Sequence, residues 1–208
     1  MSSAGVRRSR SASPRLDRGD KRDAILRAAI DTFAARGFFN AQVADVARAA
    51  GVAAGTVYLY FKSKDDLLVS IFERSMREGL NNGRAAVAGL DDPRERLRRL
   101  ARGHLARLGA DRNLAIVFQV ELRQSTKFME RFSATLLRDY LGLIREAIAD
   151  GQREGLFRGD VKATAMAKML FGALDEMATN WILSRRRYSL EADADAVVDL
   201  FINGARAR

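Results

Sequence analysis

Proline occurs only at positions 14 and 93 of this 208-residue chain. Because proline fixes φ and removes a backbone donor, a chain with so few of them carries few enforced helix breaks. Apolar residues recur every three to four positions through the proline-free stretches, which predicts an all-α protein of about nine helices. The absence of cysteine excludes disulfide frameworks, thiolate zinc sites and cysteine nucleophiles. A lone histidine, His104, cannot build an imidazole cage and reads as a surface or core residue. No cofactor and no metal are expected. The N-terminal sequence lacks the apolar core of a signal peptide and no uncharged apolar run reaches about 18 residues, so a cytoplasmic protein without a membrane span is expected.

The formal charge is +10, and it is unevenly placed. Residues 1–22 hold seven basic and two acidic groups among Ser and Gly, residues 23–75 hold six of each, and residues 76–208 hold 23 against 18. Half of the surplus thus falls in a segment with almost no apolar residues, read as a disordered basic tail over 1–20. Such a tail suits either phosphate contact or simple solubilisation.

A helical stripe begins at Asp23 with Ile25, Ala28/Ala29 and Thr32/Phe33, and Gly37 provides a left-handed stop after Arg36. A short second helix presents Val43, Val46, Ala47 and Ala50, and Gly51 permits the sharp turn into a third, predicted over 54–61. At 100° per residue Thr56 and Tyr60 share one face with Leu59 beside them, Tyr58 lies to the side, and Val57 and Phe61 point inward. This is a three-helix helix-turn-helix unit over 21–66. A fourth helix is predicted from Lys64 into the eighties, as a bridge to a second domain over 67–208. There Asp92 and Pro93 form a cap and first turn, an element covers 114–122, a long helix runs from Phe132 to Gly151, Val161 to Leu183 is apolar almost all round, and a last helix carries Val197/Val198 and Phe201/Ile202.

Gly37-Phe38-Phe39, Asp45-Val46-Ala47, Ala50-Gly51-Val52, Gly55-Thr56, Tyr58, Tyr60-Phe61 and Lys64 together resemble the DNA-binding signature of the TetR/AcrR family of bacterial repressors. The resemblance covers residues 22 to about 72. It implies a homodimer that places two recognition helices in successive major grooves of a palindromic double-stranded operator. Carried over by position, Thr56, Tyr58, Tyr60 and Lys64 match residues that hold DNA, mostly at phosphates, and Ala54 and Gly55 match the start of the reading helix. Family members have Thr or Ser before the second helix, where this chain reads Phe39-Asn40-Ala41-Gln42; Asn40 is then the expected cap, with Gln42 and Arg48 left for DNA contact.

A narrower resemblance rests on Glu121-Leu122-Arg123-Gln124-Ser125, Tyr140-Leu141, Phe171-Gly172-Ala173-Leu174-Asp175-Glu176 and Thr179-Asn180-Trp181. These clusters are similar to the effector domain of FadR-type members, which regulate fatty-acid degradation and leave DNA on binding long-chain acyl-coenzyme A. The resemblance implies an acyl tunnel lined by Phe118, Leu122, Tyr140, Ile144, Leu170 and Leu174, and a coenzyme site drawn from Arg98, Arg99, Arg102, Arg123 and Asn180. It further implies dimerisation through the last two helices, with Met169, Gly172, Ala173, Val198, Phe201 and Ile202 as candidates. The same stripes are also what an ordinary packed core shows. Asp175 and Glu176 are expected to pair with Arg123 or Arg145. A phosphate-binding glycine loop, a metal cluster and a nucleophile–base pair are all missing from the sequence, so an enzyme is not expected. Two alternatives stay open: a TetR-type repressor of an efflux or catabolic gene answering another small hydrophobic ligand, and a non-specific basic nucleic-acid-binding protein.

Overall fold

A computed structural model describes residues 18–121, 135–186 and 188–207, and among them every long element is helical. Helix α1 (Arg18–Arg36) starts five residues earlier than its apolar stripe, with Asp20 in its first turn and Arg36 in its last. Both charges interact favourably with the helix dipole, and that helps a polar turn extend the helix upstream of Asp23. The tail over 1–17 lies outside the described residues. Gly37 follows with φ +75° and turns the chain into α2 (Val43–Ala49); Gly51, φ +67°, makes the second turn into α3. That helix spans Ala54–Tyr58 only, shorter than the sequence pattern predicts. Its last turn closes by Leu59 N–H donating to Thr56 O (3.2 Å) and Phe61 N–H to Val57 O (2.9 Å).

The bridge, α4 (Lys64–Val87), is capped by Ser63, whose side-chain oxygen accepts from Asp66 N at 3.1 Å, with Asp65 and Asp66 in the first turn. Leu67, Leu68, Ile71 and Phe72 of α4 pack with Ile25, Phe33, Val46, Val57 and Phe61, so the first core extends past residue 66. Farther along, Met76 joins a second core instead. One helix is therefore part of both hydrophobic units, and each fully buried Leu, Ile or Phe contributes roughly 1.5–3 kcal/mol to holding it there.

The second core is built by α5 (Pro93–Ala110), α7 (Leu136–Arg153), α8 (Ala163–Leu183) and α9 (Ala194–Ala205). Asp92 caps α5 as its sequence predicts, its Oδ1 accepting from Arg94 N at 3.0 Å. After Asp111 the short α6 (Arg112–Ile116) does not continue as an α-helix; Val117–Glu121 widen into a π turn. The segment 122–134, which includes Leu122, Arg123 and Phe132, lies outside the described residues. A single 3-10 turn, Leu190–Asp193, leads into α9, and Arg158 N–H donates to Ala205 O (2.8 Å) to fasten its end. Among the described residues no helix is long and apolar enough to cross a membrane, and no group of His, Cys, Asp and Glu could hold a metal ion.

Candidate DNA interface and effector domain

On the three-helix unit, Val57 and Phe61 are buried while Ala54, Gly55, Tyr58 and Leu59 stand exposed and Thr56 and Tyr60 are half-buried. The structure therefore presents the start of α3 and the Thr56 and Tyr58 side chains on the outside. Tyr58, 55% exposed, is more open than Tyr60, whose ring leans on the first core. Hydroxyl groups on such a face suit phosphate contact, which positions a helix without reading sequence.

Around α2 the structure corrects one expectation. Asn40 does not cap α2; its Nδ2 donates back to Arg36 O at 3.2 Å and closes the end of α1. Gln42 occupies the N-cap position, with its backbone N–H donating to Asp45 Oδ2 at 3.1 Å, and its side chain is exposed. Two residues separate Asn40 from the cap, so its short side chain meets the helix behind it rather than the one ahead.

Lys64 also has a different task from the one its position suggests. Its ammonium donates to Phe38 O (2.7 Å), Phe39 O (3.1 Å) and Ala41 O (3.0 Å), and it stands 4.6 Å from the centre of the Phe38 ring. An ammonium has three donors, and all three are engaged by carbonyls of the α1–α2 turn. Lys64 thus fixes the turn that aims α2, and its grip on a phosphate would require breaking that set.

The π turn joins this unit to the second domain. Val117 is fully buried in the first core and Phe118 lies 4.4 Å, centroid to centroid, from Phe72 of α4. Glu121, buried, accepts from the Phe38 backbone N–H at 2.7 Å. Facing the other way, Gln119 donates to Asp175 Oδ1 (2.9 Å) and accepts from Thr179 Oγ1 (3.1 Å), both on α8. A five-residue π turn sets these side chains at spacings an α-helix would not give, and such turns recur at functional sites. Outside it, Arg27 of α1 pairs with Asp111, and Asn113 donates to Asp31 Oδ1 at 2.8 Å. Burial raises the Asp31 carboxyl, but hydrogen bonds from Arg27 and Asn113 outweigh it and hold the group below the usual carboxylate range. Sequence reasoning did not single out Gln119 or Glu121 as a link; a polar pair inside an otherwise apolar run was the available signal.

In the second domain the predicted residues separate into three groups. Ile144, Leu170 and Leu174 are packed in the core, and Asn180 is exposed, its Nδ2 donating to Glu176 Oε1 at 2.7 Å. Neither Asp175 nor Glu176 pairs with Arg145, which meets Glu146 instead. Arg98 and Arg102 face α9, where Arg98 pairs with Asp199 (2.8 Å) and Arg102 with Asp195 (2.5 Å). The spacing of four residues on each helix puts two cations opposite two carboxylates, so these arginines clamp α5 to α9. Of the described members of the set, Arg99 and Tyr140 line a cavity of about 200 Å3 between α4, α5 and α7, together with Gly79, Asn82, Gly83, Ala86, Leu100, Gly103, His104 and Arg107. His104 is a core residue there, and burial together with the Arg107 charge pushes its pKa down to about 4 against a weaker pull from Asp175. Burial likewise pushes the Tyr140 hydroxyl up to about 12.

Residues 25–71 match the family described as bacterial regulatory proteins, tetR family, and residues 72–204 match the YsiA-like protein, C-terminal region. The chain belongs to the TetR family of bacterial transcriptional regulators. Over 180 residues it is 33% identical to the fatty acid metabolism regulator protein of Bacillus subtilis, covering 86% of this chain and 93% of that one. Its fold is similar to that of the fatty acid degradation regulator FadR from Bacillus halodurans, with TM-score 0.85, 38% identity and coverage of 93% of this chain and 100% of that chain. It is also similar to FadR from Bacillus subtilis in complex with stearoyl-CoA, with TM-score 0.83, 32% identity and coverage of 88% and 99%.

The last two long helices carry exposed small and apolar residues. Met169 (66% exposed), Gly172 and Ala173 lie open on α8, and Leu200 (75% exposed) lies open on α9. Val198, by contrast, is 0% exposed within the single chain and belongs to its own core, with Phe201 and Ile202 half-buried against that core. The α9 stripe read from the sequence is the inward face, so Val198 is unavailable to a partner and Leu200, which was missed, takes its place among the outward candidates. An apolar stripe shows that a face is covered, and α9 carries apolar residues on both sides.

Proposed function

We propose that this TetR-family regulator is a homodimeric repressor of fatty-acid degradation genes that leaves a palindromic operator when long-chain acyl-coenzyme A binds its second domain. The observation that carries the reading is the likeness to FadR proteins along both domains at 32–38% identity, one of them in complex with stearoyl-CoA. Thr56, Tyr58, Gln42 and the Ala54–Gly55 turn are assigned to DNA, with Tyr60 and Lys64 supporting the face they stand on. Met169, Gly172, Ala173 and Leu200 are assigned to the dimer face. Effector release needs a connection between sites, and the path runs from α8 through Gln119 and Glu121 to Phe38, beside the shared helix α4. No step of this function asks for catalysis, and a cytoplasmic location follows from a DNA target.

A gel-shift assay with a footprinted operator tests the reading. Palmitoyl- or oleoyl-coenzyme A should dissociate the complex, while palmitate and free coenzyme A should not. Release by palmitate at the same concentration would overturn the acyl-thioester ligand, and the lack of any preferred DNA sequence at moderate salt would overturn the repressor.

A further inference from the structure

The cavity between α4, α5 and α7 has two features that packing does not account for. The first is His104, the one histidine of the chain. Its Nδ1 lies 3.3 Å from the Tyr140 hydroxyl, and its Nε2, fully buried, has no hydrogen-bond partner among the described residues. Buried side-chain nitrogens are paired in the large majority of cases. The ring is neutral at pH 7, because burial and the Arg107 charge both oppose its protonation. If Tyr140 donates to Nδ1, one group is left unpaired, the Nε2–H. The opposite tautomer leaves two, the tyrosine proton and the Nε2 lone pair, so the first is favoured and His104 presents a donor.

The second feature is Gly103, inside the 18-residue α5. A helix-interior glycine weakens a helix, yet a Cβ here would meet nothing within 4 Å, so no neighbour demands it. Gly103 is exposed at the cavity rim with Asn82, Ala86 and Arg99, while Leu100, His104 and Tyr140 are buried below. Arg107 adds positive potential to the same wall. Its guanidinium donates to Ser75 O (3.3 Å) and also to Ser75 Oγ, with Glu78 the acidic group whose charge acts on it. A neutral N–H donor beside a guanidinium suits an oxygen acceptor and disfavours an ammonium group.

We propose that His104, oriented by Tyr140, is the residue that recognises the carbonyl oxygen of the effector's thioester, with the Gly103 rim as the way in. The proposal rests on the acyl-coenzyme A reading above and adds the group that distinguishes an acyl thioester from an alkyl chain of equal length.

The test compares palmitoyl-coenzyme A with S-hexadecyl-coenzyme A, the thioether that lacks only the carbonyl oxygen, on the untagged full-length dimer. Wild-type protein should bind the thioester about tenfold more tightly, the worth of one buried hydrogen bond to an otherwise unpaired donor. His104→Phe should bind both ligands equally, and Tyr140→Phe should lose part of the preference. Since the chain has one histidine, the ring 15N signals report the site directly, and Nε2 should shift with the thioester and not with the thioether. This measurement holds even if His104→Phe fails to fold. Equal wild-type affinities with an unmoved Nε2 signal would overturn the assignment, as would palmitate binding as tightly as the thioester. Failure of both coenzyme ligands to bind a protein that still holds its operator would instead overturn the acyl-coenzyme A reading, and the assignment with it.

Discussion

Glu121, on the π turn after α6, accepts a hydrogen bond from the backbone N–H of Phe38, in the turn between α1 and α2, at 2.7 Å. Eighty-three residues separate the two, and both are buried. A carboxylate of the second domain thus sets the position of the turn that aims the DNA-binding helices. Glu121→Ala leaves a buried N–H unpaired and should lower stability by about 1–3 kcal/mol in urea unfolding. Glu121→Gln keeps an acceptor and should recover part of the loss. Hydrogen exchange at the Phe38 amide should be faster in both variants; an unchanged rate would show that the contact does not tether the turn.

Lys64 offers a separate test of how DNA is held. If its three donors stay on Phe38, Phe39 and Ala41, Lys64→Met should destabilise the N-terminal unit by about 2–3 kcal/mol. Operator affinity should then fall without a change in its salt slope, whereas loss of a true phosphate contact lowers the slope by about 0.9.

The first 17 residues carry Arg7, Arg8, Arg10 and Arg15 against Asp17. Their deletion leaves the described span of α1, Arg18–Arg36, intact. The salt slope of operator binding should decrease by up to about 0.9 per arginine that met a phosphate, with the footprint unchanged. A lost footprint would mean that the segment reads bases.

His104 predicts an acid-side loss of stability. Its folded pKa is about 4 against an ordinary 6.5, so between those values the unfolded chain binds more protons than the folded one. The stabilisation is complete above pH 6.5 and declines as pH falls through that window, by at most about 3 kcal/mol. Arg107, on the same helix, reinforces the effect and Asp175 of α8 opposes it. Urea midpoints measured from pH 7 to pH 5 should fall in the wild type and stay flatter in His104→Phe.

On the outer face, Leu200→Glu should convert a dimer into folded monomers by sedimentation, since Leu200 makes little contact within its own chain. Val198→Ala should leave the oligomer intact and cost each chain about 1–3 kcal/mol, as expected for a cavity in its own core.

Helix stops and caps were legible because their causes are local. Gly37 and Gly51 adopt the positive φ their positions call for, and Asp92 and Pro93 start α5 through a side chain and ring geometry within two residues. The core stripes of α1, α4 and α5 were legible for a similar reason, as periodicity depends only on the helix itself. Less was visible where a side chain chooses among distant partners. Arg98 and Arg102 carried the same charge for a coenzyme phosphate as for Asp199 and Asp195, and only the packing of α9 on α5 decided between them.

By itself, then, the sequence determined an all-α chain, its helix-turn-helix unit and its family, because turn chemistry, capping and hydrophobic period are written within a few residues. Tertiary structure decided that Lys64 is spent on carbonyls, that Val198 faces inward, that Gln119 and Glu121 link the two domains, and that a His104 nitrogen has no partner among the described residues. Each of those outcomes depends on which groups meet across tens of residues. A donor count or an apolar face limits the choice of partner, and the packed chain makes it.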